Sequence, residues 1–171
     1  LHRRPEDYKE LRPGKVAYYD SMVRIDLSKQ ESMIALPYHP SNAVSIHELQ
    51  ADPETVLRRV EEDTKRRFGD KVHPDLVSKI RDGKVYADQG IIAGCSGGTY
   101  ENLCEAAAIV RGQSAGNDYF SCSAYPQSSP VYIAANRAGV TSDLIEAGVV
   151  IKPAFCGPCF GAGDVPSNNG L

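Results

Sequence analysis

Tryptophan is missing from this sequence altogether, methionine occurs only twice, and neither sign of charge dominates: 19 Lys and Arg face 22 Asp and Glu, a net charge of −3. Without a basic excess there is no electrostatic footprint for a phosphate backbone, which weighs against a nucleic-acid-binding module. No apolar run approaches the ~18 residues that a membrane-spanning helix needs. The first residues, LHRRPEDYKE, lack the apolar stretch of a secretory signal. Internal repeats and low-complexity tracts are missing as well. Cysteine is sparse and odd in number: Cys95, Cys104, Cys122, Cys156 and Cys159. That count argues against a disulfide framework and for a reducing cytoplasm, where clustered cysteines more often mean metal or redox chemistry.

What is present is an ordinary globular composition, 42% hydrophobic and 24% charged over 171 residues. That length suits one domain, able to bury roughly two-thirds of its unfolded surface. The sequence does not begin with Met and stops in the polar stretch DVPSNNGL just after its most distinctive motif. It therefore reads as a piece of a longer protein. The expected organisation is a single α/β domain over 1–171, with N-terminal strands, a loop and a helical segment over 1–84, and a βαβ portion over 85–171.

The β-branched and aromatic run 15–27 predicts one or two strands, and the prolines of 32–46 predict an irregular connection. Asp52 and Pro53 cap and start a helix with Val56, Leu57, Val60, Thr64 and Phe68 on one face, ended by Gly69. A shorter helix is predicted from Pro74 to Arg81, with Gly83 past its end. From residue 85 the pattern becomes strand 90–94, helix 99–112, strand 118–125, helices 129–139 and 141–148, and strand 149–155. Strands alternating with helices predict a three-layer α/β/α fold with a mainly parallel sheet. Ligands of such sheets gather beyond the carboxyl ends of the strands.

Cys95 follows the strand at 90–94, and Cys156 and Cys159 follow the strand at 149–155. If the two strands are neighbours, three thiolates meet at one sheet edge. Zinc is one occupant, but a structural zinc takes four protein ligands, and His2, His39, His47 and His73 all lie in the N-terminal half. CGPC is also the dithiol motif of thioredoxins, although the tryptophan that precedes it there is absent and FGAGDVPSNNG is a poor helix former. An iron–sulfur cluster is the third option: three thiolates on a [4Fe-4S] cube leave one iron open as a Lewis acid. Cys104 and Cys122 read as small core residues. Tyr125, Gln127, Ser128 and Ser129 fall on a loop at the ligand edge, with Ser128 or Ser129 equally suited to an N-cap.

Three stretches carry a resemblance. IIAGCSGGTYENLCEAAAIVRG (91–112) is similar to the aconitase-family segment built around G-S-C-T-N, and AFCGPCFGAGD (154–164) to that family's A-C-G-P-C-x-G. YYDSMVRIDLSKQESMIALPYHPSN (18–42) resembles its I-D/N-L-S-x-L-x-P segment, and the link between the cysteine motifs also matches, so the resemblance spans about 18–164. The branch resembled most is the less-characterised bacterial hydratases. The resemblance implies an iron–sulfur-domain-like fold and a hydro-lyase acting on hydroxy-polycarboxylic acids. It makes Cys95, Cys156 and Cys159 the ligands of a [4Fe-4S] cluster, with Ser96, Ser128 and Asp164 as candidates at the substrate edge. The family's Thr-Asn after the first cysteine is Ser96-Gly97 here, and its Gln-Trp-Asp is Ala162-Gly163-Asp164. The resemblance also implies that the catalytic serine base and most substrate-binding cations lie in other domains of a parent chain. Those domains are then this fragment's partners, and the fragment alone is inactive.

Overall fold

The computed structural model describes residues 6, 9–115, 120–166 and 170–171. The chain divides into two compact units, Leu1–Glu31 and Ser32–Leu171. In the first, the described residues form a 3-10 turn, Leu27–Lys29. Asp26 caps it, accepting from the backbone N–H of Ser28 at 3.1 Å and from its hydroxyl at 2.7 Å. The strands predicted over 15–27 do not form: Val16, Tyr18, Tyr19, Met22, Val23 and Ile25 are exposed. Strand preference reflects packing on a half-buried pleated surface, and these side chains have none to pack on.

In the second unit, the stretch predicted as an irregular connection is a hairpin followed by a short helix. Strand β1 (Met33–Ala35) pairs antiparallel with β2 (Ala43–Ser45), in the register Ile34↔Val44. Pro37 and Pro40 sit in the loop between them, closed by Leu36 N–H to Asn42 O at 2.8 Å and by the Asn42 amide to Pro37 O at 2.8 Å. Ser45 then caps α1 (Ile46–Ala51), accepting from Glu48 N–H at 3.0 Å.

Helix α2 (Pro53–Phe68) forms as its sequence predicts. The Asp52 carboxylate accepts from Thr55 N–H, Pro53 occupies the first turn, and Gly69 stops it at φ 58°. Val56, Leu57, Val60 and Thr64 are buried, whereas Phe68, in the last turn, is 43% exposed. The helix predicted over 74–81 is absent. The Glu61 carboxylate on α2 takes the N–H groups of Leu76 (2.6 Å) and Val77 (2.9 Å), leaving only a 3-10 turn, Val77–Lys79. Beyond it β3 (Ile80–Arg81) pairs with β4 (Lys84–Val85) around Asp82 and Gly83, both at positive φ. Two such residues make the tight turn whose twist matches a hairpin, so Gly83 serves that turn and not a helix end.

The rest is the parallel α/β portion. Strand β5 (Gln89–Ala93) is followed by a one-turn helix, α3 (Gly94–Gly97), and by α4 (Tyr100–Val110), capped by Thr99. Strand β6 (Ser121–Tyr125) leads to α5 (Ser129–Arg137) and α6 (Val140–Glu146), and β7 (Val150–Ile151) follows. Residues 118 and 119 of the predicted strand 118–125 lie outside the described residues, as do His2 and residues 167–169. The sheet order is β5-β6-β7, all parallel. Together the helices and this sheet fit the predicted three-layer α/β arrangement. Strand β7 is shorter than predicted: Lys152 N–H still reaches Ala124 O at 2.9 Å, and then Pro153 offers no N–H to extend the ladder.

Two cores support these pieces. Leu36, Val44, Leu49, Val56, Leu57, Val60 and Leu76 form one. Leu103, Ala107, Ala124, Ala135, Val140, Leu144 and Val149 form the other, with Cys104 and Cys122 packed partly buried against it. In the second, the small residues of α4 and α5 let helices and sheet approach, and Leu144 is fully enclosed. Leu144→Ala is expected to cost about 2–5 kcal/mol, read by urea denaturation. The neighbouring, exposed Ile145→Ala should change stability by no more than about 0.5 kcal/mol.

Candidate metal centre

The chain leaves β5 at Ala93 and turns at Gly94, whose φ of +70° disfavours any side chain. Cys95 and Ser96 follow on α3, both exposed. On the far side of β6, the chain leaves β7 and reaches Cys156 and then a 3-10 turn, Gly157–Phe160, that carries Cys159. Ala162 N–H closes this turn on Gly157 O at 2.8 Å. The Phe155 and Phe160 rings meet edge to face across it at 5.9 Å, and a Cβ on Gly157 would collide with Phe155 and with Ala162 O.

These two loops meet. A Cβ at Gly94 would lie 3.9 Å from the Cys159 sulfur. A hydrogen bond to Cys159 and the charge of Cys159 are the main reasons the Cys156 thiol is held above its ordinary range; desolvation and, last, Cys95 push the same way. A thiol held protonated is the opposite of the activated nucleophile of a dithiol oxidoreductase. All three thiols are free and exposed, while Cys104 and Cys122 are half-buried, and burial raises the Cys122 thiol. Among the described residues, no three His, Cys, Asp or Glu side chains are gathered tightly enough to share a single metal ion.

Asp164 lies beside this turn. It accepts from the Tyr125 hydroxyl at 2.8 Å, with the Lys152 ammonium 3.8 Å from its other oxygen. The Tyr125 bond, followed by Ser123 and Lys152, holds the Asp164 carboxyl below its ordinary range against the opposing effect of burial. The same bond raises the Tyr125 phenol, so the pair stays carboxylate and phenol. Ser128 spends its hydroxyl capping α5, accepting from Val131 N–H at 3.4 Å, and Ser129 is the first residue of that helix. The Ser96 carbonyl accepts from the Asn102 amide at 2.8 Å. Gln127 donates to the Cys95 carbonyl at 3.1 Å. Sequence reasoning named Tyr125 and Gln127 as residues of the ligand edge but did not find these bonds. Tyrosine as the last residue of a buried strand, facing the edge that bears the acid, was the available signal.

An apolar groove of about 860 Å³ lies elsewhere, between the 34–53 and 82–87 stretches, and no cysteine lines it. Among the described residues no helix is long and apolar enough to cross a membrane.

Comparison with known proteins gives a family match over residues 2–170, to the family described as "Aconitase family (aconitate hydratase)". A 3-isopropylmalate dehydratase large subunit of Hydrogenobaculum sp. (strain Y04AAS1) is 30% identical over 159 residues, covering 93% of this chain and 30% of the relative. A 2,3-dimethylmalate dehydratase large subunit of Eubacterium barkeri is 28% identical over 155 residues, 91% of this chain and 29% of the relative. A further 3-isopropylmalate dehydratase large subunit, of Nitratidesulfovibrio vulgaris (strain DP4), is 37% identical over 92 residues, 54% of this chain and 21% of the relative. The chain thus spans about 30% of the length of the first of these relatives.

Two expectations follow from the geometry. A Cβ at position 98 would fall 2.0 Å from Tyr125 O, so Gly98→Ala should cost at least about 2 kcal/mol in a thermal or urea melt. The depressed Asp164 carboxyl stabilises the fold above its unfolded pKa, and that contribution is lost as pH falls through the folded value. The stability difference between wild type and Asp164→Asn, followed by denaturation across pH, should be full above about pH 4 and shrink below it.

Proposed function

The chain belongs to the aconitase family, and from that premise we propose that it is the cluster-bearing portion of a hydro-lyase that dehydrates and rehydrates a hydroxy-polycarboxylic acid. In this reading Cys95, Cys156 and Cys159 hold a [4Fe-4S] cluster, and residues 85–171 are the part that carries it. The observation that supports it most is the meeting of the Cys95 loop with the Cys156–Cys159 turn beyond the carboxyl ends of β5 and β7, which are not the neighbours that the sequence reading supposes but flank β6 in one parallel sheet. The donor set fits the group: three free thiols, with glycine where the loops approach most closely. A cube would take each thiolate on a different iron.

When bound, the cluster would supply an open iron as a Lewis acid for the oxygens of the hydroxy acid. The residues of this chain do the holding. Cysteine would bind iron as thiolate, so loading the site would release thiol protons. Gly94 keeps the space between the loops clear, and Ser96 stands exposed beside Cys95 as a polar group for a sulfur or a substrate oxygen. Asp164, committed to Tyr125 and Lys152, fixes the turn. The relatives point to substituted malates as the substrate class. No histidine lies on the 85–171 portion, and the proton-transfer base and the cations that bind the carboxylates come from the partners. These are the remaining domains of the parent protein and, as the relatives are large subunits, a smaller subunit. An oxygen-labile cluster suits a reducing cytoplasm. The chain alone is then a cofactor holder without turnover.

Anaerobic reconstitution with iron and sulfide, read by visible absorbance, EPR and iron content, tests this. Wild type should take up about four irons per chain, and Cys95→Ser fewer than half as many. Equal uptake by the two, or none by wild type, overturns the cofactor assignment. Hydratase assays on 3-isopropylmalate should show no turnover by the reconstituted chain, and turnover would overturn its proposed dependence on other domains.

A further inference from the structure

Beyond their internal contacts, both cysteine-bearing loops are fastened to the carboxyl end of the strand between them. On one side the Gln127 amide donates to Cys95 O at 3.1 Å, and Gln127 N–H donates to Gly98 O at 2.7 Å. Tyr125 O fills the space where a side chain at Gly98 would go. On the other side the buried Tyr125 side chain donates to Asp164 at 2.8 Å, five residues past Cys159. Ser123, two residues back and on the same face of β6, also helps hold the Asp164 carboxyl below its ordinary range. Lys152, just beyond β7, approaches its second oxygen.

We propose that Tyr125–Gln127, the end of β6, is a bridge that sets the distance between Cys95 and the Cys156–Cys159 pair. Tyr125 and Gln127 are thereby positioning residues for the metal centre. The inference rests on the assignment of the three thiols as cluster ligands, but its geometric content stands in the metal-free chain. Gln127 ties the backbone of the first ligand to β6; Tyr125 ties the loop of the other two to the same strand, two residues earlier. Removing either tie leaves the helices and both cores untouched and frees one set of thiols relative to the other.

The test uses the full chain with Tyr125→Phe, which deletes one hydroxyl, and Gln127→Ala, which deletes an exposed amide. In the metal-free protein a short bismaleimide, followed by mass spectrometry, reports the ratio of Cys95–Cys156 or Cys95–Cys159 links to Cys156–Cys159 links. In the reconstituted protein, the rate of iron loss to a chelator reports retention. Both variants should lower the ratio several-fold and speed iron loss several-fold, with Gln127→Ala melting near wild type and Tyr125→Phe losing no more stability than Asp164→Asn. A merely structural role would lower the melting temperature and leave the ratio unchanged. Wild-type ratios in both variants overturn the bridge. If Tyr125→Phe fails to fold, Gln127→Ala decides alone. A wild-type chain that takes up no iron overturns the cofactor assignment, and the cross-linking ratio then decides the bridge by itself.

Discussion

Parallel strands release their chains on one side of a sheet only. Here β5 and β7 both lie against β6, in a register that places Ala93 opposite Tyr125 and Ala124 opposite Ile151. The residues that follow β5 and β7 are therefore delivered to the same rim, one strand's width to either side of Tyr125. The approach of the thiol-bearing loops depends on that delivery. Gly94 turns one chain inward, Pro153 ends the other ladder, and the two loops meet at Gly94 and Cys159.

Much of this arrangement was legible because it is local. Asp52-Pro53 marks a helix start by capping chemistry alone, and the alternation of strand and helix after residue 85 carries its own periodicity. The errors also have local causes. Gly83 reads as a helix end only when taken without its neighbour Asp82, although the pair is a hairpin turn signal, and around 74–79 only a 3-10 turn forms, with Glu61 taking the N–H groups of Leu76 and Val77. The run 15–27 shows the limit of strand preference: its apolar side chains stay exposed and no strand forms there. The ties at the rim were out of reach for another reason. Tyr125 and Asp164 are 39 residues apart and Gln127 and Cys95 are 32 apart, so no spacing or period links them.

The electrostatics of the rim separate two kinds of polar group. The Tyr125–Asp164 pair is settled: hydrogen bonding and a nearby ammonium keep the carboxylate charged and the phenol neutral. The Cys156 thiol differs: its hydrogen bond to Cys159 and the charge there hold it above its ordinary range, and a positively charged occupant would favour its thiolate.

The glycines of the rim have one more consequence. The stretches 94–98 and 156–164 bury almost no apolar side chain of their own, so little opposes their opening beyond a few bonds to β6. Segments held that way exchange amide hydrogens and open long before helices such as α2 or α4 give way. On warming, the rim is expected to loosen before the helices do. The thermal limit of this chain as a holder of chemistry is then set below its thermal limit as a fold.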